Sequence, residues 1–136
     1  MNAMLVWVEG WQQQCCGEPF AVGGTVRWQL AGPGPGGLPV PPLAPAQPDL
    51  HVDAVEDHHG TRTVTRVVTG RVDAVRALVV QLAPVPGRPH SVAPVPASGR
   101  LRTVYRSDGA EVRDRGFMGY LVTLDPLDEE PPPQDS

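Results

Sequence analysis

The chain of 136 residues contains no lysine and no isoleucine. All eleven basic residues are arginine, and Ala, Gly, Pro and Val are abundant. Codon usage in a GC-rich genome accounts for that pattern, so the missing lysines say nothing about chemistry. Cysteine is also scarce, and the two present, Cys15 and Cys16, are adjacent. A bridge between neighbours would close a strained ring and remove almost no chain entropy, which excludes a disulfide scaffold. Reduced thiols and a cytoplasmic location are expected. No apolar run approaches the length of a membrane span. The first run, Met4 to Val8, stops at Glu9 and has no basic residue before it, so no signal peptide is expected.

Proline and glycine are plentiful, and they bound the fold. Residues 31–48 hold seven Pro and four Gly, and residues 83–99 hold five Pro and two Gly. Such segments lack the composition of a sheet interior or a helix and are expected to be disordered inserts. The acidic, Pro-rich stretch 126–136 is expected to be a disordered tail. A single domain over residues 1–125 remains, with roughly 90 residues available for a core. Charge is segregated along the chain. Residues 1–60 carry six acids and one Arg, residues 61–115 ten Arg and four acids, and residues 116–136 five acids and no base. A basic middle between acidic ends is either a docking face for an anion or a set of strands neutralised by the chain's own acids.

The densest stretch is Trp7 to Trp28, W-V-E-G-W-Q-Q-Q-C-C-G-E-P-F-A-V-G-G-T-V-R-W, which holds every Trp and Cys. Met4–Trp11 is apolar on both faces until Glu9 and Gly10 interrupt it, which predicts a central strand buried on both sides at its start. Gln12 to Phe20 reads as a polar, turn-rich loop. Gly23-Gly24 is a tight turn with positive φ, followed by a half-buried strand in which Val26, Trp28 and Leu30 alternate with Thr25, Arg27 and Gln29. Leu50–His59 reads as a strand, with a single helical turn as the rival. Residues 61–82 are rich in Thr and Val and read as two strands or one long strand bent at Gly70. Ser107-Asp108-Gly109 signals a hairpin turn between a strand over 101–106 and a charged return strand over Glu111–Arg115. Phe117–Leu124 is a last strand, apolar on both faces. These five to seven short strands, with no helix of three turns, predict an all-β fold: a small barrel, OB-like or SH3-like, with long Pro/Gly-rich loops.

The motif Trp11-x3-Cys15-Cys16-Gly17-x-Pro19-Phe20-x-Val22-Gly23-x2-Val26-x-Trp28 resembles the N-terminal signature of an uncharacterised actinobacterial family of short proteins. The family's usual acidic residue after Val-Gly is Gly24 here, and Glu56-Asp57-His58-His59-Gly60 belongs to the same resemblance. The family carries no activity to transfer. The resemblance implies a bacterial, cytoplasmic protein of unknown function.

Candidate chemistry is sparse. Cys15, Cys16, His58 and His59 are the clustered soft ligands, with Glu18, Glu56 and Asp57 beside them, and thiolate with imidazole is the donor set of zinc. Adjacent pairs diverge in an extended chain, whereas structural zinc ligands stand two to four residues apart, so no cofactor is the expectation and zinc the lesser alternative. Glu18 would raise a neighbouring thiol's pKa and no nucleophile signature is present, so an enzyme is not expected. Arg62, Arg66, Arg71, Arg76, Arg102 and Arg106, with Tyr105 and Trp28 to stack bases, form the pattern of a single-stranded nucleic-acid barrel, a second alternative. The leading expectation is a binding or scaffolding module for a protein or small ligand, without a membrane role, acting through the Gln12 to Phe20 loop with Trp11, Cys15, Cys16, Glu18, His58 and His59.

Overall fold

The computed structural model describes residues 3–10, 18–32, 52–56 and 64–131. Among these residues are eight strands: β1 (Met4–Glu9), β2 (Thr25–Ala31), β3 (Ala54–Glu56), β4 (Val64–Val79), β5 (Leu82–Val85), β6 (Arg88–Pro94), β7 (Arg100–Val104) and β8 (Phe117–Glu130). Five of them close into a barrel in the order β1-β3-β2-β4-β8, with β8 returning to β1. The all-β small barrel expected from the strand pattern is therefore what the chain forms. Every barrel contact is antiparallel except β1 with β3, which run side by side in the same direction.

Length explains the division of labour among strands. The 16 residues of β4 serve three neighbours. From Val64 to Arg71 it pairs with β2, from Val75 to Val79 with β7, and from Val67 to Val79 with β8. Thus residues 61–82 contain one long strand, the second of the two readings. Gly70 is a point of close approach within it, where a Cβ would lie 2.7 Å from the Leu124 side chain and 2.9 Å from the Asp125 carbonyl oxygen. A register shift at Thr69/Gly70 leaves Leu127 of β8 without an opposite residue, and that irregularity accommodates Pro126, which lacks a ladder donor.

The alternation along β1 builds two clusters. Met4, Val6 and Val8 fill the barrel interior with Phe20, Leu30, Ala54, Val68, Val72, Val75, Tyr120, Val122 and Leu124. Trp7 lies on the other face, clustered with Val52, Val55, Leu78, Val80 and Leu121. The strand is buried on both sides, as its composition predicts. Trp7 Nε1 is buried without a hydrogen-bond partner among the described residues. The indole still gains on balance: burying 150–250 Å² of aromatic surface contributes about 4–6 kcal/mol, against a penalty of about 1–3 kcal/mol for the lone donor.

Three expectations need correction. Glu111–Arg115 is not a return strand; residues Ala110–Arg113 form a 3-10 turn whose Val112 packs on the interior cluster. The pairing sites at 105–107 are taken instead by residues 20–22, through Ala21 opposite Arg106 and the Val22 N–H donating to the Tyr105 carbonyl at 2.9 Å. Second, residues 83–99 are not simply a disordered insert. They carry most of the β5–β6 hairpin, turned at Pro86-Gly87 with Gly87 at φ 77°. A two-stranded ribbon has two open edges, so its prolines cost no ladder bond when they face outward, and Pro-Gly is turn chemistry. Third, the acidic stretch from residue 126 continues β8 to Glu130. The strand count accordingly exceeds the seven expected. The remainder of the first Pro-rich insert, residues 33–48, and the tail from residue 132 lie outside the described residues.

Gly119 is the tightest point of the β1–β8 pair. Its φ is 155°, and a Cβ there would meet the Val8 carbonyl oxygen and come within 2.8 Å of the Trp7 ring. We expect Gly119→Ala to lower the unfolding free energy by about 2–4 kcal/mol. Gly32→Ala, with nothing within 4 Å of its added methyl group, should stay within about 0.5 kcal/mol of the parent. Urea midpoints of the two variants check this.

Candidate binding surface at the barrel end

Because β1 and β3 are parallel and pair Val8 with Glu56, both strands leave the barrel at the same end. The chain departs from β1 at Glu9-Gly10 and from β3 at Glu56, so two connections begin side by side. Gly10 is packed hard against β8. A Cβ on it would stand 2.7 Å from the Phe117 ring and 2.8 Å from the Met118 carbonyl oxygen. Glu56 is only 4% exposed, on the interior-facing side of β3 with Ala54.

The first connection is anchored again where it re-enters the described structure. Phe20 N–H donates to Ser107 Oγ at 2.9 Å, and Ser107 N–H donates to the Phe20 carbonyl at 2.9 Å. Tyr120 completes the clamp by donating its hydroxyl to the Ser107 carbonyl. The Phe20 ring sits edge-on to Trp28 at 5.1 Å and to Tyr120 at 5.7 Å, and Phe117 packs on Tyr120 at 5.0 Å. Edge-to-face geometry of this kind adds about 0.5–1.5 kcal/mol per pair beyond area burial. One end of the barrel is therefore an aromatic platform built on the interior cluster. Burial holds the Tyr120 hydroxyl well above its ordinary pKa, with the nearby Glu111 and Asp108 charges pushing in the same direction.

Of the site residues expected from sequence, Glu18 is described and exposed, two residues before the Phe20 anchor. Trp11, Cys15, Cys16, His58 and His59 lie outside the described residues. No group of three or more His, Cys, Asp or Glu able to hold a metal occurs among the described residues. Ser107 and Tyr120 escaped the sequence reading. Ser107 was legible only as part of a turn signal, and Tyr120 is embedded in an apolar run where nothing marks its hydroxyl as a clamp.

The nucleic-acid candidates fare unevenly. Trp28 packs against Phe20 on the interior cluster and is not placed to stack on a base. Arg27 pairs with Glu130 at 2.9 Å, Arg66 with Glu129 at 3.6 Å, and Arg71 with both Asp73 at 3.0 Å and Asp125 at 3.2 Å. Arg106 pairs with Asp108 at 3.1 Å. The acids of β8 thus neutralise arginines of β2 and the first half of β4. Arg76 and Arg102 make no ion pair among the described residues, Tyr105 is 68% exposed, and Arg62 lies outside the described residues. Recesses also occur among the described residues. One of about 270 Å³ lies at the opposite end of the barrel, between Met4, Asp53, Arg66 and Glu129. Another, of about 600 Å³, runs between the β5–β6 hairpin and residues 114–116, lined by Leu82 and Val92.

The sequence model of a family of unknown function, DUF6578, matches residues 2–126. The chain belongs to this family. The matched span takes in the barrel up to the Pro126 irregularity, including both connections that leave β1 and β3. No curated protein and no solved structure matches the chain. No helix among the described residues is long and apolar enough to cross a membrane.

For this DUF6578 member, Ser107→Ala removes the acceptor of a buried amide and should cost about 1–3 kcal/mol in denaturant unfolding. The clamp also predicts a pH dependence. A tyrosine whose pKa is higher folded than unfolded stays protonated in the native state while the unfolded chain ionises. Stability is therefore fully present below the unfolded value of about 10 and falls as pH rises beyond it. The stability of the parent should fall between about pH 9 and 11 more steeply than that of Tyr120→Phe; parallel denaturant curves across that range give the comparison.

Proposed function

We propose that this protein is a non-catalytic binding or scaffolding module whose working surface is the barrel end carrying the loop from Gln12 to Phe20. Cys15, Cys16 and Glu18 would supply contacts from that loop, Trp11 from beside it, and His58 and His59 from the connection after β3. The observation that carries the reading is the parallel β1–β3 pair, which starts both connections from neighbouring strand ends. The Phe20–Ser107–Tyr120 clamp supports it, since a loop tied to a rigid platform loses less entropy when it binds. The arginine-only basic composition, which coding by a GC-rich genome produces, supports an actinobacterial setting, and two adjacent cysteines unsuited to a structural bridge support a cytoplasmic one. The same strand pairing favours a second reading, a zinc module using Cys15, Cys16, His58 and His59, because it starts both ligand pairs from one end.

Native mass spectrometry with and without chelator, combined with thiol counting, separates the two. The leading reading expects a bare mass and two free thiols; tightly held zinc that leaves with chelator assigns the metal reading instead. Photo-crosslinking from position 18 in cell extract, with position 65 on exposed Thr65 as control, tests the surface itself. A discrete adduct from position 18 alone is expected. Equal labelling from both positions, or none, removes the barrel end as the working surface.

A further inference from the structure

We propose that β7 accepts an acidic, extended peptide segment of a partner protein as an added strand. This surface is the outer edge of β7, beside the barrel end, and the proposal does not depend on the reading of the Gln12 to Phe20 loop.

β7 closes one side of the six-stranded sheet, and among the described residues it pairs with β4 only. Its five residues leave about 17 Å of open backbone edge, long enough for a short peptide ladder. Proteins usually protect such edges, and here the protection is positive charge. Arg100 and Arg102 are exposed on β7, and Arg76 lies opposite Thr103 on β4. None of the three makes an ion pair among the described residues. The acids of β8 stand instead at the far half of β4, where Asp125 and Glu129 hold Arg71 and Arg66 and Glu130 holds Arg27 of β2. An arginine-bearing edge repels a second basic strand and attracts an acidic one.

Register sets the kind of peptide. Arg100, Arg102 and Val104 share one face of β7, opposite Val79, Ala77 and Val75 of β4. Leu101 and Thr103 share the other, where Leu101 joins the cluster around Trp7. An added strand would place every second residue beside Arg100 and Arg102, and the intervening ones beside Leu101, Thr103 and Tyr105. The fitting sequence alternates Glu or Asp with Val, Thr or Ile. A single nucleic-acid strand fits less well. It needs successive rings for stacking, and Tyr105 is the one aromatic exposed among the described residues.

The test is fluorescence anisotropy of a labelled ten-residue peptide alternating Glu and Thr, with the full chain. Saturable binding is expected, weakening several-fold between 50 and 300 mM salt (about one Debye-length change from 14 to 6 Å). Binding should fall at least tenfold on Arg100→Glu with Arg102→Glu, and should be lost when alternate peptide amides are N-methylated on the pairing edge. Arg113→Glu with Arg115→Glu should leave it unchanged. Hydrogen exchange of residues 100–104 should slow on binding. Should the double charge reversal fail to fold, Arg100→Gln with Arg102→Gln gives the same comparison. Equal binding of the N-methylated peptide overturns the strand-addition proposal, as does the absence of saturable binding. Tighter binding of a ten-nucleotide oligothymidine, lost in the same variants, overturns it in favour of nucleic acid.

Discussion

The antiparallel pairing of β4 with β8 is the constraint on which the rest depends. It runs from Val67 opposite Glu130 to Val79 opposite Phe117, the longest pairing in the chain. Both strands are long because each must serve the barrel and something beyond it. β8 lends its first part to β1, and β4 lends its first part to β2 and its last part to β7. A barrel of five strands closes only when strands tilt and stagger, and here two long, irregular strands absorb that stagger. The shifts at Thr69/Gly70, Val72/Ala74 and Leu78/Val79 let β4 bend around the interior while keeping its partner.

The same pairing organises charge. Carrying β8 past Pro126 brings Asp125, Glu129 and Glu130 against the arginines of β2 and early β4. Each of these exposed pairs is worth little by itself, about 0–1 kcal/mol. Their larger effect is on what is left over: neutralisation at one half of β4 leaves the other half, with β7, carrying positive charge that is unpaired among the described residues. Of the two sequence readings of the charge blocks, self-neutralisation describes the first half of β4. Arg76, Arg100 and Arg102 remain for the docking reading.

The barrel end follows from a different set of contacts. Phe20 reaches across to Ser107 and blocks the pairing that a hairpin at Ser107-Asp108-Gly109 would otherwise make. One local turn signal was thus overruled by a distant partner, which is why the return strand over Glu111–Arg115 became a 3-10 turn under Val112. The candidate loop was legible in sequence as a polar, Cys-bearing interruption between two strands. Its fixing by Ser107 and Tyr120 was not, since both anchors lie some 90 residues or more away along the chain.

Local patterning by itself determined the all-β class, the two-sided burial of Met4 to Val8, the half-buried face of Val26, Trp28 and Leu30, and the turn at Gly23, whose φ is 89°. Period-two alternation and a need for positive φ are written in neighbouring residues and survive without knowledge of the fold. Only the tertiary structure decided that β1 and β3 run parallel, that β7 stands at the edge, which arginines keep their charge exposed, and that a proline-rich segment folds as a ribbon. Those outcomes depend on which distant strand supplies a partner, and on whether a proline nitrogen faces a neighbour or solvent. The cost of either is set by pairing in space, which adjacent residues do not encode.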